Sequence, residues 1–194
     1  MTVRVSFIAG AAGDWQVERV APIRGEPLAA VPALTRTEGS VFVAAPGAAP
    51  DAAASDVSWI LRGVRSNERY LASREKQQLV PLQEGLGRPA SRCAALIPLS
   101  KSAAWWDLAQ DERRAIFEEQ SAHIAIGARF LPAIARRLYH ARDLGEPFDF
   151  LTWFEFSPAD AGAFDELVGR LRQTEEWRYV VREVEIRLRR ADPP

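Results

Sequence analysis

From Arg92 onward the chain alternates two periodicities in a fixed order, and that order limits the folds open to it. Arg92–Leu99 alternates about Ala94, Leu96 and Pro98 and reads as a strand. A helical stretch is expected from about Ala104 to Phe130, with an interruption near Ala109–Asp111 and an end at Pro132, which cannot continue it. Ala133–Ala141 reads as a strand, Arg142–Glu146 as a turn, and Phe148–Phe156 as a strand rich in aromatic residues. Pro158–Trp177 has Phe164, Leu167, Val168 and Leu171 at helical spacing on one face. Tyr179–Leu188 alternates again and closes the series. The order is strand, helix, strand, strand, helix, strand.

That order predicts an α+β, ferredoxin-like fold, with helices on one face of an antiparallel sheet. The first half is less regular. Residues 2–9 and 15–22 read as strands around a turn, 40–45 as a third, and Val57–Val64 as a fourth. Between them lies the low-complexity stretch 44–54, rich in Ala and Pro. Ser66 is placed to cap a helix through about Leu79. We therefore expect residues 1–90 to form a trimmed, degenerate copy of the ferredoxin-like half formed by 91–194, although no sequence repeat links the two.

Charge and cysteine content narrow the function. Lys plus Arg number 25 against 26 Asp plus Glu, which gives no reason to expect nucleic acid or an anionic membrane as partner. One cysteine, Cys93, excludes an intrachain disulfide and a cysteine-based zinc cluster, and with two histidines a zinc site would need carboxylates. The apolar run Val3–Ala9 is broken by Arg4 and Ser6, so it reads as a strand rather than a leader, and a cytoplasmic location is expected. No apolar run reaches membrane-spanning length. Phosphate-binding glycine loops, Gly-x-Ser-x-Gly and His-Glu-x-x-His are absent from the sequence.

Two residues stand out. His123 lies on a helix face with Ile116, Gln120 and Phe130, at offsets of seven, three and seven. Such a histidine is either buried and held by one hydrogen bond, or a ligand for a metal or a haem. Arg136 alternates with Ile134 and Leu138 on one strand face, where an isolated charge is costly. It either pairs with a carboxylate or awaits an anionic ligand. Lys101 and Glu176, taken singly, read as surface charges, and the tryptophans as core or interface residues.

Several segments together resemble the chlorite dismutase family, in its short-chain branch. In the second half these are Ala94–Pro98, Lys101–Trp106, Gln110–Glu118, Tyr139-His140, Phe148–Glu155 and Thr174–Trp177. A weaker likeness covers Leu61–Val64 through Arg69-Tyr70, and Gln83 to Gly87. The resemblance implies two ferredoxin-like halves per subunit packed into a barrel, a homodimer, and haem b in the C-terminal half. It maps the axial iron ligand onto His123 and a distal arginine onto Arg136. It maps the carboxylate that accepts from the imidazole onto Glu176, a lysine of that network onto Lys101, and pocket-lining positions onto Gln83, Leu131 and Ile97. It further implies a chlorite O2-lyase, converting the small anion chlorite to chloride and dioxygen. Related alternatives are a coproheme decarboxylase, for which Arg136 is the wrong residue, a peroxidase-like enzyme, and a haem-binding barrel without catalysis.

Overall fold

The structure is a computed structural model and describes residues 3–42, 56–65 and 85–191. Eight antiparallel strands close into one barrel. They are β1 (Arg4–Gly10), β2 (Trp15–Arg24), β3 (Ala33–Gly39), β4 (Val57–Arg65), β5 (Cys93–Lys101), β6 (Ala135–His140), β7 (Phe150–Phe156) and β8 (Val180–Arg190). Around the barrel they run β1-β3-β2-β8-β5-β7-β6-β4, and β4 pairs with β1 to complete the circle.

This corrects the α+β, ferredoxin-like expectation. The two sets of four strands do not form separate sheets covered by helices; they continue into one another. Strand β2 pairs with β8 along most of its length, and β4 joins β6 through Val64↔His140 and Arg65↔Tyr139. An open sheet edge carries unpaired N–H and C=O groups, and pairing edge to edge removes both edges at once. Helices are a minority, and those among the described residues all lie between β5 and β8. They are α1 (Ala103–Asp107), α2 (Gln110–Arg114), a π-helical turn (Ala115–Gln120), α3 (His123–Ala128) and α4 (Ala161–Leu171). The expected helix after Ser66 lies outside the described residues.

The barrel interior is packed, not hollow. Phe7, Trp15, Tyr139 and Trp153 meet edge-on or tilted at ring separations of 5.3–5.8 Å, with Leu34, Leu96, Leu151 and Ile186 around them. Eight strands enclose just enough room for such filling. Near one end the inward residues of β3 are charged. Arg36 donates to the Tyr139 hydroxyl at 2.7 Å and pairs with Glu38 at 2.9 Å, Tyr139 donates to Glu38, and Arg137 adds a contact to Glu38 at 3.3 Å. The third strand is thus 33–39; of the expected 40–45, residues 40–42 are not in a strand and 43–45 lie outside the described residues. Its inner positions, Leu34, Arg36 and Glu38, hide the alternation that marks a strand.

The outer wall of β5, β7 and β6 is apolar and carries α4, whose Phe164, Leu167, Val168 and Leu171 are buried against Ala95, Ile97, Phe154 and Phe156. At about 1.5–3 kcal/mol for each large side chain withdrawn from water, this stripe fixes the helix firmly. The helix is shorter than expected, because 3-10 turns replace it at Pro158–Asp160 and Glu175–Tyr179.

Two outcomes follow for stability. A Cβ at Gly63 would lie 2.7 Å from the Tyr139 Cβ, at the β4–β6 closure. Gly63→Ala should therefore cost about 1–3 kcal/mol by overpacking, read as a lower urea midpoint with unchanged m. Glu185, on the outer wall, is 1% exposed and accepts from Arg19, Arg172 and Arg187. Burial alone would raise its pKa, but the bonds from Arg187 and Arg172 outweigh it and hold the carboxyl below the ordinary 4.5. Its contribution is then complete above that value and is lost as pH falls through the lower folded value. Urea midpoints should drop on acidification below about pH 4.5, and less steeply in Glu185→Gln.

Candidate functional site

The site forms on the outer wall of the second half. Antiparallel partners share a face, so the ladders β5–β7–β6 set outward residues in rows. Ala95, Phe154 and Arg136 make one row; Ile97, Thr152 and Leu138 the next; Leu99, Phe150 and His140 the third. Helix α3 lies over this wall, with Ile126 packed on the cluster that contains Ile97 and Phe154. Ile97 is buried, yet Arg136, Leu138 and Thr152 retain accessible surface in the middle of the covered wall.

The helix bearing His123 is not the continuous one expected from the sequence. After the π-helical turn the helix breaks at Ala122, which takes a left-handed conformation at φ 49°, ψ 36°, and His123 opens α3 as its first residue. His123 therefore does not share a helix face with Ile116 and Gln120. Two side chains support the break. The Glu118 carboxylate accepts from the free N–H of Ile124 at 2.9 Å, and the Phe117 ring stacks on the imidazole at 4.3 Å. A non-glycine left-handed residue costs of order 1 kcal/mol and persists where its surroundings enforce it.

His123, Glu176 and Lys101 converge although 75 residues separate the last two. The His123 Nδ1 lies 2.7 Å from Glu176 Oε2, and the Lys101 ammonium donates to Glu176 Oε1 at 2.7 Å. The Ser121 hydroxyl accepts from the Glu176 backbone N–H at 2.9 Å. The lysine and glutamate side chains are 2% and 8% exposed, so this is a buried pair. Burial would raise the Glu176 pKa, but His123 and Lys101 outweigh it and pull the carboxyl down to about 2. Burial pulls the Lys101 ammonium down from its ordinary value, opposed by Glu176. Lys101 also lies 4.3 Å from the centre of the Trp105 ring.

Engaging Nδ1 leaves His123 Nε2 without a hydrogen bond among the described residues. Arg136 likewise makes no hydrogen bond or ion pair among them. It is surrounded by protein yet keeps accessible surface, which places its guanidinium in a recess. Burial lowers its pKa, while the charge of Glu176 acts the other way. Arginine stays charged through such shifts. Leu131 is partly buried on the segment joining α3 to β6, and Gln83 lies outside the described residues.

The donor set suits one kind of metal group. Among the described residues no cluster of three or more His, Cys, Asp or Glu could hold a bare ion. A macrocycle that brings four ligands of its own needs only one axial nitrogen, and a carboxylate accepting from the far side of the imidazole fixes its tautomer. A single imidazole above an apolar wall fits haem. Sequence reasoning missed Ser121, Glu118 and Glu183, the last of which accepts from the Trp177 indole at 2.8 Å. A single polar side chain gives no spacing signal for such a role. Among the described residues no helix is long and apolar enough to cross a membrane.

Comparisons with known proteins agree on one family. The family model described as chlorite dismutase matches residues 49–190. The chlorite dismutase of Ideonella dechloratans is 34% identical over 133 residues, 66% of this chain and 44% of that protein, so the chain spans less than half the length of this curated relative. Among solved structures, a dimeric chlorite dismutase from Nitrobacter winogradskyi is 52% identical with a TM-score of 0.85, covering 96% of this chain and 99% of that one. The chlorite dismutase from Candidatus Nitrospira defluvii, solved in complex with imidazole, has a TM-score of 0.70 at 20% identity over 97% of this chain and 91% of that one, and shares the fold. A family match over more than half the chain, on a barrel with this buried histidine–glutamate–lysine set, makes the protein a member of the chlorite dismutase family.

Proposed function

We propose that the protein binds haem b through His123 and converts chlorite to chloride and dioxygen. The observation that carries this reading is an imidazole with one nitrogen held by a buried carboxylate and the other unengaged, together with an arginine in a recess that makes no hydrogen bond or ion pair among the described residues. The family match supports the same reading. Haem, when bound, would supply the iron at which Cl–O bonds are broken and the O–O bond is made.

The chain's own residues do the rest. Glu176 accepts the Nδ1 proton of His123, which orients the ring and makes Nε2 a better donor. Lys101 neutralises Glu176 in its buried position and restricts its rotation. Arg136 offers a permanent charge and a planar fork of donors, and holds chlorite and the chlorine oxyanion derived from it inside the pocket. Ile97, Leu138 and Leu131 exclude water around it and provide no competing proton donor. The preorganised charge needs no rearrangement as the anion's charge shifts. We also infer a homodimer, in line with the dimeric Nitrobacter protein.

Oxygen release measured with a Clark electrode on haem-saturated protein should be rapid and stoichiometric with chlorite. Protein with a Soret band but no oxygen release would refute the activity and leave the cofactor reading standing. Arg136→Ala should keep the Soret band, lose on the order of 10²-fold in rate, and leak hypochlorite that chlorinates a trapping dye. His123→Ala should lose the axial-ligand signature in resonance Raman spectra. Glu176→Ala should lower stability by about 3–5 kcal/mol in urea unfolding, because the Lys101 ammonium is left buried without a counter-charge; Lys101→Met in the same chain should recover part of that loss.

A further inference from the structure

The strand that carries Arg136 is supported unequally on its two sides. Strand β6 pairs with β7 through all six of its residues, Ala135 to His140. Toward β4 it is paired only at Tyr139 and His140. Ala135 to Leu138, with Arg136 among them, therefore have a ladder on one side alone among the described residues. A stretch paired on one side behaves like a sheet edge, which twists and opens more readily than a central strand. The arginine that faces the pocket stands on such a stretch.

Further support comes from inside the barrel. Alternation turns Arg137 and Tyr139 inward while Arg136 faces the outer wall. Both inward residues end on one carboxylate. Arg137 Nη1 lies 3.3 Å from Glu38 Oε2, and the Tyr139 hydroxyl donates to Glu38 Oε1. Glu38 belongs to β3, which β1 and β4 separate from β6 around the barrel, so the tie crosses the interior. Arg36, on the same strand, braces the carboxylate. It donates to Tyr139 at 2.7 Å, pairs with Glu38 at 2.9 Å and lies 5.7 Å from the centre of the Trp153 ring. Its Nε is buried with no acceptor among the described residues. A buried donor left without a partner makes this set a poor device for stability alone. Arg88 holds the segment just before β6, donating to the carbonyls of Pro132 and Ala133 at 2.9 and 2.8 Å.

We propose that Glu38 is a positioning residue for Arg136; this rests on the haem and chlorite reading above. Its side chain lies on the inner face of the barrel, away from the pocket, and acts through the strand. By fixing Arg137 and Tyr139 from behind, Glu38 replaces the ladder that β4 does not supply and steadies the backbone of Arg136. A guanidinium serves an anion only while its donors keep their direction, and a small misplacement is costly. The first half of the chain, which holds no iron ligand in this reading, thereby sets the aim of the residue that meets the substrate.

The variant Glu38→Gln keeps the shape of the side chain and removes its charge. Haem-loaded protein should be titrated with fluoride, which on ferric haem accepts a hydrogen bond from a cationic donor, and with imidazole, which offers such a donor no acceptor. In Glu38→Gln the fluoride Kd should rise about tenfold while the imidazole Kd stays within about twofold. In the Arg136→Ala background Glu38→Gln should add nothing to the fluoride Kd, because the residue it positions is gone. Arg137→Gln and Tyr139→Phe, each losing one of the two ties, should give smaller rises, and they decide the matter if Glu38→Gln does not fold. Hydrogen exchange followed by mass spectrometry should quicken in Glu38→Gln over residues 133–139 and not throughout the barrel. A fluoride Kd that does not move, an equal rise in the Arg136→Ala background, or exchange that quickens everywhere overturns the proposal, while a normal Soret band leaves the haem reading intact. Absence of any Soret band after expression with a haem precursor overturns both.

Discussion

Closure of the barrel is the constraint on which the other features depend. Among the described residues the β2–β8 and β4–β6 ladders join the edges of the two strand sets, so the inner face becomes a packed core and the outer face becomes the wall on which the site is built. Closure also fixes register. Because the side-chain period along a strand is two, the same ladder that sends Tyr139 and Trp153 inward sends Arg136, Leu138 and Thr152 outward in adjacent rows. The face on which Arg136 stands is thus set by the barrel's register.

Against that wall the site is held by one costly arrangement. A buried lysine–glutamate pair has a desolvation cost that its mutual attraction only partly offsets, and it is poor as a device for stability alone. Here the second oxygen of the carboxylate is committed to an imidazole, and the backbone around it is tied by Ser121. The expense is understandable if the product is a histidine with fixed tautomer and direction. The left-handed Ala122 belongs to the same account: it turns the chain so that the ring starts a new helix over the wall.

Much of this was legible in the residues. The stripe Phe164, Leu167, Val168, Leu171 identifies α4, and the alternation of Ile134, Arg136 and Leu138 puts the arginine on the covered face, where the structure has it. Strand β3 was not legible, because Arg36 and Glu38 point inward and satisfy each other and Tyr139. The helix break was not legible either, since alanine has no preference for the left-handed region and the break is enforced from outside by Glu118 and Phe117. The association of Lys101 with Glu176 came only through family resemblance; a contact spanning 75 residues has no signature in spacing. A barrel, too, was implied only by the family resemblance, because element order fixes neither which sheet edges meet nor whether they meet.

The packed interior has a consequence for traffic. With Phe7, Trp15 and Trp153 filling the axis, and Arg36, Glu38 and Tyr139 tied together near one end, the barrel is a pillar and not a conduit. Arg136 points to the outer wall, so a ligand proposed for it would arrive from that side and not along the axis. Access to the proposed site is therefore a property of the outer wall of the second half, and the barrel axis takes no part in it.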